Sequence, residues 1–267
     1  MSTIVWFHAH PDDEAILTGG SMLRAAEEGH RNVLVVATNG DFGEVPADLG
    51  PGETLVERRR AETTLSAGVL GVARVVWLGY ADSGMTGWEQ NGRVESFLQA
   101  GLDEAAERLA LVLREEESTV LVSYDWHGNY GHPDHIKVHQ VGRRAAELAR
   151  TSHLFEATFN RDRLQAMAEV INRLAPVEGQ DRVDFEGDTD DGVPLGMPET
   201  ELTHEVDVVR FAGSKRAAVS AHRSQVSDTS FLLRMSDEHF AGAFGTEWFI
   251  KLGMAAGLQR RWILDPS

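Results

Sequence analysis

Ile4-Val-Trp-Phe-His-Ala-His-Pro-Asp-Asp-Glu14 passes from an apolar run to a polar turn and on into a helical pattern. Residues 4–7 are a short apolar run that reads as a buried strand. Residues 14–28 carry helical spacing, and Gly29 is their stop. Between strand and helix, four polar side chains crowd a turn bent by Pro11. The alternation repeats downstream. Strands are expected at 32–37, 74–78, 119–123 and 153–159, and helices at 53–70, 93–117 and 133–150, with loops at 39–52, 79–92 and 124–131. Strands alternating with helices imply right-handed crossovers and a mostly parallel sheet. The expected class is therefore α/β, a Rossmann-like sheet flanked by helices. Beyond residue 160 the pattern weakens. A helix at 162–174, a long acidic loop at 178–200, a short strand at 205–209, a helix at 210–225 and a strand or loop at 246–251 make an elaborated C-terminal third. One domain over 1–267 is expected, with a core at 1–160 and an elaboration at 161–267 that contributes to a cleft.

Composition narrows the chemistry. The 267 residues contain no cysteine, so disulfides and thiolate metal sites are excluded and any metal must sit on His, Asp and Glu. With 42 acidic against 25 basic residues the net charge is −17, and the short Arg58-Arg59-Arg60 cluster is no basic stripe, so nucleic acid is not an expected partner. No apolar run approaches the roughly 20 residues that span a bilayer. Met1-Ser-Thr-Ile has no basic start, so a signal peptide is not expected and the cytoplasm is the default compartment.

Two constellations carry chemistry. In doubly wound sheets, sites form beyond the carboxyl ends of strands, where His10, Asp12, Asp13 and Glu14 fall. His10 and Asp13 are spaced to share one ion, which leaves Asp12 beside it as a general base. A metal lowers the pKa of bound water from about 15.7 to near 7, so a carboxylate can complete its deprotonation. The plainer reading of Asp12 and Asp13 is that they cap the following helix. That reading leaves His10 unexplained. The second junction, Tyr130-Gly-His-Pro-Asp-His135, sits after another strand of the same sheet. Either His132 or His135 serves as a third ligand on spacing alone. The other is then a protonatable group that Asp134 orients.

Together the two segments resemble the LmbE-like, or PIG-L, family of zinc-dependent N-acetylglucosaminyl deacetylases. The resemblance rests on Ala9-His10-Pro11-Asp12-Asp13-Glu14 with Gly19-Gly20, and on Gly131-His132-Pro133-Asp134-His135. Weaker echoes are Thr38-Asn39-Gly40 with Gly43-Glu44, Arg58-Arg59-Arg60-Ala61-Glu62, Asp82-Ser83-Gly84-Met85 and Ala221-His222-Arg223-Ser224-Gln225. It implies a catalytic zinc, with ferrous iron as an alternative occupant in cells, held by His10, Asp13 and His135. It implies Asp12 as base, His132 as a protonated group at the oxyanion, Asp134 as the partner of His132, and Tyr130 as an aid to the carbonyl oxygen. Arg59 and Asp82 match positions that grip sugar hydroxyls, and Glu44 and His222 are the further substrate-facing candidates. Within the family the chain looks nearest the actinobacterial mycothiol-pathway branch. The implied reaction is removal of an acetyl group from an N-acetylglucosamine-type conjugate, with cleavage of a larger amide, such as a mycothiol S-conjugate, as the alternative. The loops at 41–53 and 85–91 depart from that branch, which bears on the substrate and not on the chemistry. A small amino sugar conjugate is the expected partner, and a homo-oligomer is allowed but not required. Of the remaining side chains, His8 is expected as a hydrogen-bonded core residue, Trp126 as a packed aromatic, and His127 as a residue of a Gly-rich loop, with a place lining the cleft as the lesser alternative.

Overall fold

The computed structural model describes residues 1–174, 192–226 and 230–265. Its elements in chain order are β1 (Thr3–His8), α1 (Asp13–Leu17), α2 (Gly19–Glu27), β2 (Arg31–Thr38), α3 (Leu55–Val69), β3 (Val72–Tyr80), α4 (Leu102–Glu115), β4 (Val120–Tyr124), α5 (Gly128–Gly131), α6 (Pro133–Ala149), β5 (His153–Thr158), α7 (Arg161–Leu174), β6 (His204–Asp207), α8 (Ala212–Ala221), α9 (Phe231–Arg234), α10 (Asp237–Phe244), β7 (Thr246–Lys251) and β8 (Gln259–Arg260). The strands form one eight-stranded sheet in the order β3-β2-β1-β4-β5-β7-β6-β8. The first five strands are parallel, and β7 runs antiparallel to both β5 and β6.

The strand order places the site. From β1 the chain winds outward through β2 to β3, then returns to lay β4 on the other side of β1. The β1/β4 boundary is thus the point at which the winding reverses, where a crevice opens beyond the strand ends. Central strands covered on both faces read as unbroken apolar runs. Ile4, Val5, Trp6 and Phe7 are fully buried, as are residues 33–37. Each Val, Ile, Leu or Phe among them contributes about 1.5–3 kcal/mol through burial. Phe7 packs edge-on to Phe97, so truncating it to Ala should cost about 3–5 kcal/mol. The one polar atom that Trp6 brings inside is answered by Asn32 Oδ1 at 2.9 Å.

Three local readings are corrected. The helix expected at 14–28 breaks at Thr18 into α1 and α2. The cause is distant in sequence: the buried Glu247 carboxylate accepts the N–H groups of Gly20 and Ser21 at 2.8 Å each and so fixes a new helix start. Lys215 Nζ, 2.6 Å from Glu247 Oε1, balances that charge. The helix expected from 93 begins at Leu102, because Phe97 is drawn into the core in a 3₁₀ turn against Tyr80. In the C-terminal third, α8 is shorter than the helix expected at 210–225, while β6 and β7 fall on the two expected strand segments. Most of the loop expected at 178–200 lies outside the described residues. By contrast, α3 begins where local chemistry dictates. Glu57 N donates to Thr54 Oγ1 at 3.2 Å, and Thr54 N donates back to Glu57 Oε2 at 2.8 Å. Among the described residues no helix is long and apolar enough to cross a membrane.

Candidate active site

His10, Asp13 and His135 converge at the β1/β4 boundary. His10 Nδ1 lies 3.3 Å from His135 Nε2 and 3.5 Å from Asp13 Oδ2, and His135 Nε2 lies 3.4 Å from the same Asp13 oxygen. Four tetrahedral ligands about 2.1 Å from a zinc ion stand about 3.4 Å apart. The three atoms are therefore spaced to hold one such ion and leave a fourth corner open. Two overlapping groups also bring ligand atoms within 4.8 Å of one another: His10 with His132 and His135, and His10 with Asp82 and Asp134.

Each ring is turned by what holds its far nitrogen. His10 Nε2 sits 3.2 Å from Asp134 Oδ2 and 3.6 Å from Asp82 Oδ1. His135 Nδ1 sits 3.1 Å from the carbonyl oxygen of Gly128. Protons on those outer nitrogens leave lone pairs on His10 Nδ1 and His135 Nε2, facing the same point. Gly128 has φ +62°, and a Cβ there would lie 2.4 Å from His135 Cβ, so only glycine brings its carbonyl this close. Asp125 builds that turn, its Oδ1 accepting the N–H groups of His127 at 2.9 Å and Asn129 at 3.1 Å. Burial, opposed by those N–H groups and Thr158, raises the Asp125 carboxyl above its ordinary value.

Asp12 does not cap α1. Its backbone stands at φ 114°, ψ −32°, and its side chain makes no cap hydrogen bond. Its carboxylate lies 3.2 Å from Arg59 Nη2 and remains partly open. Burial holds the Asp12 carboxyl up at about 6, the Arg59 guanidinium opposing and the Asp13 charge adding to it. Burial works the same way on Asp13, but His135 and His10 overcome it and keep that carboxyl well below its ordinary value. His10 is the converse. Burial opposes its charge, yet Asp82, Asp13 and Asp134 hold the ring well above its usual range.

Two expectations about the second junction are corrected. The Asp134 carboxylate does not orient His132. It accepts from Ser83 N at 2.9 Å and from Ser83 Oγ, and faces His10 Nε2. His132 instead receives the backbone N–H of Asp134 on Nδ1 at 3.1 Å, which fixes the Nε2–H tautomer. Burial, then the neighbouring His10 and His135, push the His132 ring down to about 2, against the protonated form expected. It presents a neutral N–H donor. Tyr130 brings its hydroxyl to 3.4 Å from His135 Nε2.

The substrate-facing candidates divide. Asp82 lies in the site at 6% exposure, its Oδ1 accepting Gly84 N at 2.8 Å. Its carboxyl stays below the ordinary range because His10 outweighs burial. Arg59 alone of the arginine cluster turns inward, since Arg58 pairs with Glu53 and Asp48 while Arg60 reaches Asn39. The Arg59 guanidinium is held by protein: Gly40 O at 2.8 Å, Pro11 O at 2.6 Å and Asp12. Glu44 is exposed, its backbone bridged by the Gln225 amide. His222 is a correction: it is 1% exposed and reaches no rim, because Nε2 is paired with buried Glu14 Oε1 at 2.7 Å. His127 is buried, and Trp126 is half exposed rather than packed. His8 is the core residue expected, held by Tyr124 Oη and Thr18 Oγ1 at 2.9 Å each. Sequence reasoning missed Ser83, Asp125 and the bonding of Glu14. Only Ser83 carried a signal, its place beside Asp82 in an echoed segment.

Comparison with known proteins bears on this geometry. A family model described as PIG-L, GlcNAc-PI de-N-acetylase, matches residues 5–146. A Streptomyces avermitilis protein named 1D-myo-inositol 2-acetamido-2-deoxy-alpha-D-glucopyranoside deacetylase is 39% identical over 262 residues, covering 91% of this chain and 89% of its own. A protein of the same name from Acidothermus cellulolyticus is 36% identical over 263 residues, covering 94% and 88%. Among solved structures, N,N'-diacetylchitobiose deacetylase from Pyrococcus horikoshii matches with a TM-score of 0.59 at 22% identity, covering 94% of this chain and 84% of that one, a likeness of fold.

Proposed function

The chain belongs to the PIG-L family, and on that footing we propose that it is a zinc-dependent N-deacetylase of an N-acetylglucosamine conjugate. The relatives' names direct the choice of conjugate to an α-linked inositol. The observation that carries the reading is the triangle of His10 Nδ1, His135 Nε2 and Asp13 Oδ2 with the partly open Asp12 carboxylate beside it. Two imidazole nitrogens and one carboxylate oxygen suit zinc, and suit ferrous iron as well. When bound, the ion supplies Lewis acidity toward the carbonyl oxygen and lowers the pKa of water.

The chain's own groups do the rest. With a carboxyl near 6, Asp12 is ionised at neutral pH and only weakly acidic once protonated. That suits it to take the proton of the attacking water and return it to the departing amine. The neutral Nε2–H of His132 and the Tyr130 hydroxyl are donors for the oxygen on which charge develops, the class of interaction that usually contributes most. Asp134 keeps His10 turned, and the Gly128 carbonyl keeps His135 turned. Asp82 offers its second carboxylate oxygen to a sugar hydroxyl, and the exposed Glu44 side chain is available to the aglycone. Arg59 serves this site from behind, through Pro11 and Asp12.

The test is product analysis with the zinc-loaded protein and a panel of N-acetylglucosamine conjugates that includes the α-linked inositol. Acetate and free amine in equal amounts, fastest with the inositol conjugate, are expected. Release of a larger acid from an S-conjugate, with no acetate, would make the enzyme an amidase instead.

A further inference from the structure

Asp12 stands where a helix-capping aspartate would stand, yet its carboxylate is not used for the helix. A capping residue needs an extended backbone, with its side chain turned back onto the N–H groups of the first turn. At φ 114° a residue with a Cβ is strained by about 1–3 kcal/mol, and such a residue persists only when its surroundings hold it. The surroundings are identifiable. Glu14 Oε2 accepts the backbone N–H of Asp12 at 3.0 Å, the reverse of a cap. Glu14 Oε1 is held in turn by His222 Nε2 at 2.7 Å and Ser66 Oγ at 2.6 Å. Glu14 is fully buried and His222 1% exposed, so neither touches a substrate. From the other side, Arg59 grips Pro11 O and the Asp12 carboxylate.

We propose that Glu14 and His222 are positioning residues of the deacetylation: His222, with Ser66, fixes Glu14, and Glu14 locks the Asp12 peptide so that its carboxylate stays free to act as the base. His222 lies 208 positions beyond Glu14 in sequence, and the two meet in a buried pair where α8 packs against α1. The pair rests on the reading of Asp12 as base, so its test needs a readout that requires no substrate.

Crystal structures of the zinc-loaded wild type and of His222→Ala supply one. With His222 removed, Glu14 should release the Asp12 N–H, Asp12 should move to negative φ, and its carboxylate should turn onto the first turn of α1. In turnover, His222→Ala should lower kcat by about 10–100-fold, the range for residues that orient the groups around a metal, with KM and zinc content held. His222→Gln keeps a donor toward Glu14 and should recover most of the loss. Should His222→Ala not fold, Ser66→Ala removes the other support and should give a smaller loss of the same kind. An Asp12 backbone unchanged in His222→Ala, or in Ser66→Ala where only that variant folds, would overturn the proposal. So would a well-folded, zinc-loaded His222→Gln that falls as far as the Ala variant. If the wild type releases acetate from no conjugate, the deacetylase reading fails, and the crystal structures still decide the clamp.

Discussion

The two His-Pro-Asp turns, His10-Pro-Asp-Asp13 and His132-Pro-Asp-His135, follow neighbouring strands and share a spacing, yet they divide their labour differently. In both, the fourth residue, Asp13 or His135, turns into the common triangle. In the first turn the opening histidine joins the triangle and the residue after proline stays partly open. In the second, the opening histidine caps α6 by accepting Asp134 N, and the residue after proline is fully buried on Ser83 and His10. The difference lies in what holds the third position. Glu14 and Arg59 pull Asp12 away from its helix, whereas Asp134 accepts Ser83 and the far side of His10. The same four-residue pattern thus yields a proposed base in one place and a ligand-orienting carboxylate in the other.

Substitutions separate the two turns, and His135→Ala should do the most damage. It removes one corner of the triangle, so zinc and all turnover should be lost together, measured by metal analysis and acetate release. Full zinc occupancy in that variant would break the proposed ligand set. Asp12→Ala should lower turnover by about 10²–10⁴-fold while zinc is retained. Loss of zinc instead would make Asp12 a ligand and erase the contrast with Asp134. Asp134→Asn should do the opposite, weakening zinc affinity by about 10–100-fold in a competitive chelator titration. The smallest effect is on pH. Asp12 acts as a base only when ionised, so kcat/KM should fall as pH drops through about 6. Because the Arg59 guanidinium lowers the Asp12 carboxyl, Arg59→Gln should move that acid limb upward, and an unmoved or lowered limb would separate the two residues.

How much of this the sequence disclosed follows from the range of the forces. The sheet was legible because its central strands, buried on both faces, must be apolar throughout, as residues 4–7 and 33–37 are. The two junctions were legible because each packs its polar groups into a few consecutive residues. What could not be read is what distant residues impose. Glu247 starts α2 from 227 positions beyond Gly20, and His222 supports Glu14 from 208 positions away. Asp134 likewise chooses His10 over its near neighbour His132, a choice that depends on how α6 lies against β1. Local spacing left the two histidines of the second turn interchangeable. Only the fold separates them, by giving His132 a backbone N–H and His135 a backbone carbonyl.

On the proposed reading, His10, Asp13 and His135 hold one ion while Asp12 stands beside it unligated. A crystal structure of the zinc-loaded protein, with the ion located by its anomalous scattering, tests this most directly. The expected result is zinc about 2.0–2.2 Å from His10 Nδ1, His135 Nε2 and an Asp13 oxygen, with Asp12 beyond bonding distance. Zinc bound by Asp12 or His132, or lodged between Asp82 and Asp134 on the far side of His10, would contradict it.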